Sequence, residues 1–523
     1  MREHRNHPRP RSGRRGTVGR ALGLLTVSAL ILAGCGGGGD GAGTDGGEHD
    51  PAAVFKYAVP GMPTSFDPRQ AAPLDPVFLD VVYESLIGRT PAGDIEPGLA
   101  TEWELSDDNR VLDLTLREGV TFTDGAPFDS AAVVASLEAF RESGAQKTVL
   151  APLQAVEATG PNSVRLTFDA PSGYMVNALA GEAGIVVSPQ AIDDPDLGTK
   201  PVGTGPFALT GLQQGKITFT RNEDYWNVAE TSIAGIEMLV FSDEPTRLRS
   251  VVSGETDGTT ISAGQIREAE ANGLSVVKAP NSTLNGILLN TGQPEFAEPK
   301  VREALIYAID REAVNDSLFA GECTPSVQPF GPGFWANVPE LNDISRFHDP
   351  ARSKALLAEA GYPDGVPIEL AHGPNTTYQN LSQALQAQLS EAGFRAEVRP
   401  LEFSQMVEAR RTGNFSATVS LLQAGRPDSS QFAVDFYMPG GTYNPGNFTL
   451  PGLDALLAES RASDDTAERE GPTRELFREV FEAGPPVIPV CNVIWVAAFR
   501  DGVTGFEVPT YGDYDFASVK IAG

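Results

Sequence analysis

The sequence predicts an α/β or α+β protein of more than one lobe, with an exported, anchored N-terminus. Three observations predict it. Helical and strand periodicities interleave along the whole chain rather than separating into blocks. At 523 residues the chain exceeds the roughly 250–300 residues beyond which one core stops growing. The N-terminus has the order of an export signal ending in a cysteine.

Arg2, Arg5, Arg9, Arg11, Arg14, Arg15 and Arg20 make a basic head, and an apolar run from Ala21 to Leu32 follows. That run is too short to span a bilayer as a helix. It closes on Leu32-Ala33-Gly34-Cys35, which resembles the lipobox of bacterial lipoproteins. Small residues admit the peptidase, and the thiol receives the diacylglycerol. Residues 1–35 are therefore read as lipoprotein signal and lipobox, with Cys35 the lipidation site. The Gly-rich stretch 36–50 suits a flexible tether. The protein is expected on the outer face of the cytoplasmic membrane, at the cell surface or in the periplasm. Arg14-Arg15 leaves both general and twin-arginine export open.

Asp129 can cap a helix whose Val133, Val134, Leu137 and Phe140 recur at helical spacing. Pro299 opens another, with Val301, Ala304, Leu305, Ala308 and Ile309 on one face and Arg302, Glu303, Asp310 and Arg311 on the other. A third runs from Asp349-Pro350 to Gly361, and Leu381, Leu385, Leu389 and Ala392 form a fourth stripe before Gly393. Strands alternate instead: Leu112, Leu114, Leu116 and Val164, Leu166, Phe168. No repeat period and no second membrane-length apolar segment occurs.

The formal net charge is −30, and the Arg-rich head makes the remainder more acidic still. Such a surface repels nucleic acid and anionic membranes, so nucleic-acid binding is excluded. Two histidines, His348 and His372, lie outside the signal and tether, far apart and without ligand spacing; both are read as surface residues, and no metal or cofactor is expected. Gly41 to Gly46 fits GxGxxG but follows no strand. Gly211 to Lys216 is one residue short of a phosphate loop and precedes Ile217 rather than a hydroxyl residue. No GxSxG elbow occurs. An enzyme has no positive support. Apart from Cys35 there remain Cys323 and Cys491, which in an exported protein pair or stay as buried thiols.

Several segments in fixed order carry a resemblance. They include Pro63-Thr64-Ser65-Phe66-Asp67-Pro68, Tyr83-Glu84-Ser85-Leu86, Pro97 to Trp103 and Leu116 to Gly125. Pro201 to Phe207, Arg221 to Trp226 and Val301 to Arg311 follow. Together they resemble the extracellular solute-binding proteins of the peptide, dipeptide and nickel class of ABC importers. The resemblance implies an α/β, two-lobed, periplasmic-binding-protein-like fold with an extra subdomain inserted in lobe I. Lobe I would use 51–85, 200–285 and the returning 496–523; the inserted subdomain would be 86–199 and lobe II 286–495. Gly203, Gly205 and Pro206 would shape a tight passage, and Trp103 and Trp226 would be buried anchors. A monomer that captures a small polar solute, a peptide or peptide-like compound, would deliver it to a permease and ATPase complex.

In peptide binders of that family a Trp-x-x-Asp element of the second lobe lies against the ligand, its aspartate pairing with the free amine. Here the stretch reads Gln423-Ala424-Gly425-Arg426-Pro427-Asp428. Arg426 favours a carboxylate or phosphate, so the ligand would present an anionic or neutral polar group there; alternatively Asp428 pairs with the amine, or Arg426 pairs with a lobe acid. Ala72, Pro73 and Leu74 are expected at the first lobe's ligand edge. Tyr443, Asn444, Asn447, Asn492 and Trp495 are further cleft candidates. A sensor or interaction lipoprotein on the same fold, or a lipoprotein hydrolase, are the alternatives.

Overall fold

The computed structural model describes residues 49–71, 75–142, 145–423, 428–512 and 514–523. Cys35, the lipobox, residues 72–74 and Arg426 lie outside them.

The fold is α/β, with two lobes strung on one large mixed sheet. On one side Val54–Val59 runs parallel to Gly235–Val240 and to Gly258–Ile261, and the hairpin Phe207–Gln213 with Lys216–Arg221 extends that edge. On the other side Val366–His372 runs parallel to Phe394–Pro400 and Ala417–Gln423. Parallel neighbours require crossover connections. Helices such as Thr376–Glu391, between Val366–His372 and Phe394–Pro400, supply them.

Two long antiparallel strands, Ser275–Leu289 and Val487–Phe499, pass through both halves and join them. Their ladder is interrupted between Pro280 and Leu284. Proline has no amide hydrogen to donate, so a strand bends or bulges there. The freed residues are tied locally: Asn281 Oδ1 accepts from the Thr283 amide at 2.9 Å and its hydroxyl at 2.7 Å.

Between Val54–Val59 and Phe207–Gln213 the chain builds a separate four-stranded antiparallel sheet. Its order is Ala100–Leu105, Val111–Leu116, Ser163–Phe168, Leu153–Gly160. Helix Ser130–Glu142 buries Val133, Leu137 and Phe140, and Asp129 accepts from the Ala131 and Ala132 amides as its cap. Apolar side chains gather into one core drawn from residues 55–238 and 497–521 and a second drawn from 284–491. Helices Pro299–Ala308, Pro350–Glu359 and Thr376–Glu391 belong to the second.

Cys323 and Cys491 form a disulfide across 168 residues of sequence. It joins the short strand Cys323–Pro325 to Val487–Phe499, beside which it pairs.

Five side chains depart from the sequence reading. Arg302 and Arg311 are buried rather than on an exposed face. Arg302 donates to the carbonyls of Phe296, Ala297, Ala483 and Gly484. Arg311 donates to those of Ser326, Pro489, Ile306 and Ile309. Burial lowers their guanidinium pKa to about 10 and about 9. Trp103 and Trp226 are only half-buried. Trp103 stands on the sheet's edge strand, and Trp226 is covered by a guanidinium, Arg117, 3.7 Å from its ring centre. His372, by contrast, is buried, with Nδ1 2.6 Å from the Gly373 carbonyl.

Gly203 and Gly205 do make a tight passage. A β-carbon at either would lie 2.1 and 2.6 Å from the Val82 backbone.

Candidate ligand-binding cleft

A cavity of about 660 Å³ opens where the two cores meet the crossing strands. That volume lies within the range of small-molecule sites. From the first lobe it takes Ala58 to Met62, where strand Val54–Val59 ends, and Glu84, Tyr174 and Glu182. Asn281, Ser282 and Thr283 reach it because Pro280 breaks the ladder just before them. The second lobe contributes Asp428 and Gln431, and Trp495 and Tyr511 complete the wall.

Among the residues singled out from the sequence, Asp428 and Trp495 border this cavity. Trp495 meets Tyr514 edge-on, ring centres 5.9 Å apart. Ala72, Pro73, Leu74, Arg426 and the Gln423 side chain fall outside the description. The structure does not bring the others to the cavity wall. Tyr443 stacks on Phe436 at 4.9 Å. Asn444 is spent on the Met438 and Phe448 backbone. Asn447 adopts φ 52° and accepts from the Gly440 amide. Asn492 donates to the Pro329 carbonyl at 2.7 Å.

Asp428 is fully engaged. Oδ1 accepts from the Ser430 amide at 2.9 Å and hydroxyl at 2.5 Å, and Oδ2 accepts from Arg469 at 2.5 Å. Burial alone would raise its pKa; the Arg469 guanidinium and the Ser430 hydrogen bond overcome that and hold it below the usual carboxylate value. Arg461 stands beside it, donating to Ser430 Oγ at 2.9 Å and Gln431 Oε1 at 2.7 Å.

At this same place the lobes touch. Gly173 and Tyr174 donate their amides to the Ala462 and Arg461 carbonyls at 3.1 and 3.2 Å. The Arg461 guanidinium lies 4.2 Å from the Tyr174 ring centre. Sequence reasoning missed Asn281 to Thr283, Gln431 and this contact. Pro280 inside an otherwise strand-like run was the one local signal; the rest depends on chain segments far apart in sequence.

Glu84 sits on the first-lobe wall. Its Oε1 accepts from Trp226 Nε1 and the Tyr225 hydroxyl, while burial raises its pKa against those hydrogen bonds. Among the described residues no cluster of three His, Cys, Asp or Glu is placed to hold a metal ion. Nor is any helix there long and apolar enough to cross a membrane.

The family model described as bacterial extracellular solute-binding proteins, family 5 Middle, matches residues 94–444. The chain belongs to this family. The family 5 protein is also 29% identical over 497 residues to the glutathione-binding protein GsiB of Salmonella typhimurium (strain LT2), covering 90% of this chain and 96% of that one. Its fold matches the periplasmic binding protein DppA of Helicobacter pylori, solved with the peptide STSA. The TM-score there is 0.81 at 21% identity, over 90% of this chain and 98% of that chain. AgaA of A. tumefacien R10, solved with agropinic acid, gives a TM-score of 0.80 at 25% identity, over 90% and 99%. The family 5 protein is thus a solute-binding receptor of an ABC importer, holding a small solute between two lobes.

Proposed function

We propose that the solute is a peptide or peptide-like compound, bound in the cavity between Ala58–Met62, Asn281–Thr283 and Asp428. The observation that carries this reading is the cavity itself: about 660 Å³, walled by both lobes, with Asn281–Thr283 brought to its wall by the Pro280 interruption. The names of related proteins, which include binders of glutathione and of a tetrapeptide, support the same class.

In this reading the protein does no chemistry of its own. It works as a monomer, tethered by a lipid on Cys35, and passes its load to the permease and ATPase. Arg426 meets an anionic or neutral polar group of the solute, so Arg426→Ala weakens binding of peptides with a free carboxylate. Native mass spectrometry of protein purified from its producer tests the ligand class. A co-captured species with peptide fragmentation supports the reading; a captured sugar or metal chelate, or turnover of peptides by the pure protein, refutes it.

A further inference from the structure

Two aromatic side chains with uncommitted polar heads stand together on the cleft wall. Most rings that border the cavity have spent theirs. The Tyr57 hydroxyl is hydrogen-bonded to Thr260. That of Tyr174 donates to the Val149 carbonyl at 2.7 Å, and Tyr225 and Trp226 both donate to Glu84. Trp495 and Tyr514 differ. Both border the cavity, and among the described residues nothing accepts from the Trp495 indole N–H or the Tyr514 hydroxyl; neither atom is sealed from solvent. The two rings meet edge-on, centres 5.9 Å apart, and are held from behind. Tyr514 stacks on Phe516 at 5.9 Å, and its amide donates to Asp80 at 2.8 Å. Trp495, half-buried on strand Val487–Phe499, pairs with Ala279 beside the Pro280 interruption.

We propose that Trp495 and Tyr514 bind the solute by an uncharged, planar acceptor, the carbonyl of an amide, with the indole N–H and the phenol O–H as its donors.

The chemistry of the two heads selects that group. An indole N–H donates and cannot accept, so an ammonium finds no partner at Trp495. The Asp80 carboxylate borders the same cavity next to Tyr514. A second negative charge brought against it is penalised, so a carboxylate is the poorer guest. A carbonyl oxygen offers two lone pairs and no charge, and an amide is flat enough to lie against a wall of rings. Tyr514 is only 9% exposed, so little water reaches its hydroxyl, and a solute oxygen supplies the bond that burial has withheld. Rigid aromatic side chains also lose little conformational entropy on taking a ligand.

This inference rests on the cavity being the solute site but not on the solute being a peptide. Calorimetry on the purified full chain separates the two, using trialanine and, as an amide that is no peptide, N-acetylglucosamine. Trp495→Phe and Tyr514→Phe each remove one donor and keep a ring. Each is expected to weaken the bound probe by about tenfold. Tyr514→Phe preserves the packing of its ring, so its loss of affinity reads the hydroxyl alone. A loss below about twofold in either variant overturns the proposal. Should Trp495→Phe fail to fold, Tyr514→Phe alone decides. If trialanine does not bind the wild type and N-acetylglucosamine does, the peptide reading fails and the variants are judged on the sugar. If neither probe binds the wild type, an amide-seeking site is overturned.

Discussion

Trp226 donates its indole N–H to the Glu84 carboxylate at 2.9 Å, and Tyr225 adds its hydroxyl to the same oxygen at 3.0 Å. Two sequence landmarks 142 residues apart thereby meet behind the first-lobe wall. The carboxylate is buried, and burial keeps its pKa raised despite both donors. A carboxyl with a raised folded pKa binds its proton more tightly folded than unfolded. Its contribution is therefore most favourable below the unfolded value of about 4.3 and is lost as pH rises through the folded value. Glu84→Gln keeps an acceptor without a charge. Its melting temperature relative to wild type is expected to rise from acid to neutral pH; a pH-independent difference would refute the assignment.

The Asp428–Arg469 pair behaves oppositely. Its carboxyl is depressed, so its stabilisation is present above the unfolded value of about 3.9 and fades as pH falls through the lower folded value. Arg469→Met leaves a buried aspartate without its cation, which costs about 3–5 kcal/mol at neutral pH. Denaturant titrations at neutral and acidic pH should show that deficit narrowing in acid, where protonation relieves the stranded charge.

Gly173 has room for no side chain. A β-carbon there would lie 2.0 Å from the Ser463 carbonyl carbon and 2.2 Å from the Asp464 nitrogen, both backbone atoms. Gly173→Ala is expected to part the contact with residues 461–464 and leave the two cores intact. Hydrogen exchange reads this directly: the Tyr174 amide should lose protection by about tenfold or more, while amides of Val111–Leu116 keep theirs. Retained protection at Tyr174 would contradict the close approach.

The disulfide closes a loop spanning 168 residues. In the chain-entropy description such a link stabilises by about 5 kcal/mol. Replacing Cys323 and Cys491 together by serine should lower the melting temperature, and the reductant sensitivity of the wild type should vanish in the variant. A single exchange would instead leave a buried free thiol beside Asn285, whose amide nitrogen lies 3.9 and 4.0 Å from the two sulfurs.

Much of the fold was legible because its helices carry their own boundaries. Asp129, Pro299 and Pro350 mark starts, and Gly361 and Gly393, at φ 92° and 101°, follow ends where only a glycine sits without strain. Arg302 and Arg311 were misread for a physical reason. Periodicity assigns any arginine to a wet face, yet these satisfy the orphan carbonyls at helix ends and across the second core. The cleft was less legible. Asp428 and Trp495 were found, but Tyr443 stacks on Phe436, Asn444 spends its amide on its own loop and Asn492 donates to the Pro329 carbonyl, which no local pattern reveals. Asn281 to Thr283 could have been found from Pro280 alone.

That proline has a wider consequence. The two crossing strands are paired on both sides of residues 280–284 and interrupted there, so bending between the lobes concentrates where the ladder is already broken. Three of these residues, Asn281, Ser282 and Thr283, also border the cavity. Recognition and articulation then share one piece of backbone, and a substitution that retunes selectivity at Asn281, Ser282 or Thr283 also resets how readily the carrier lets go.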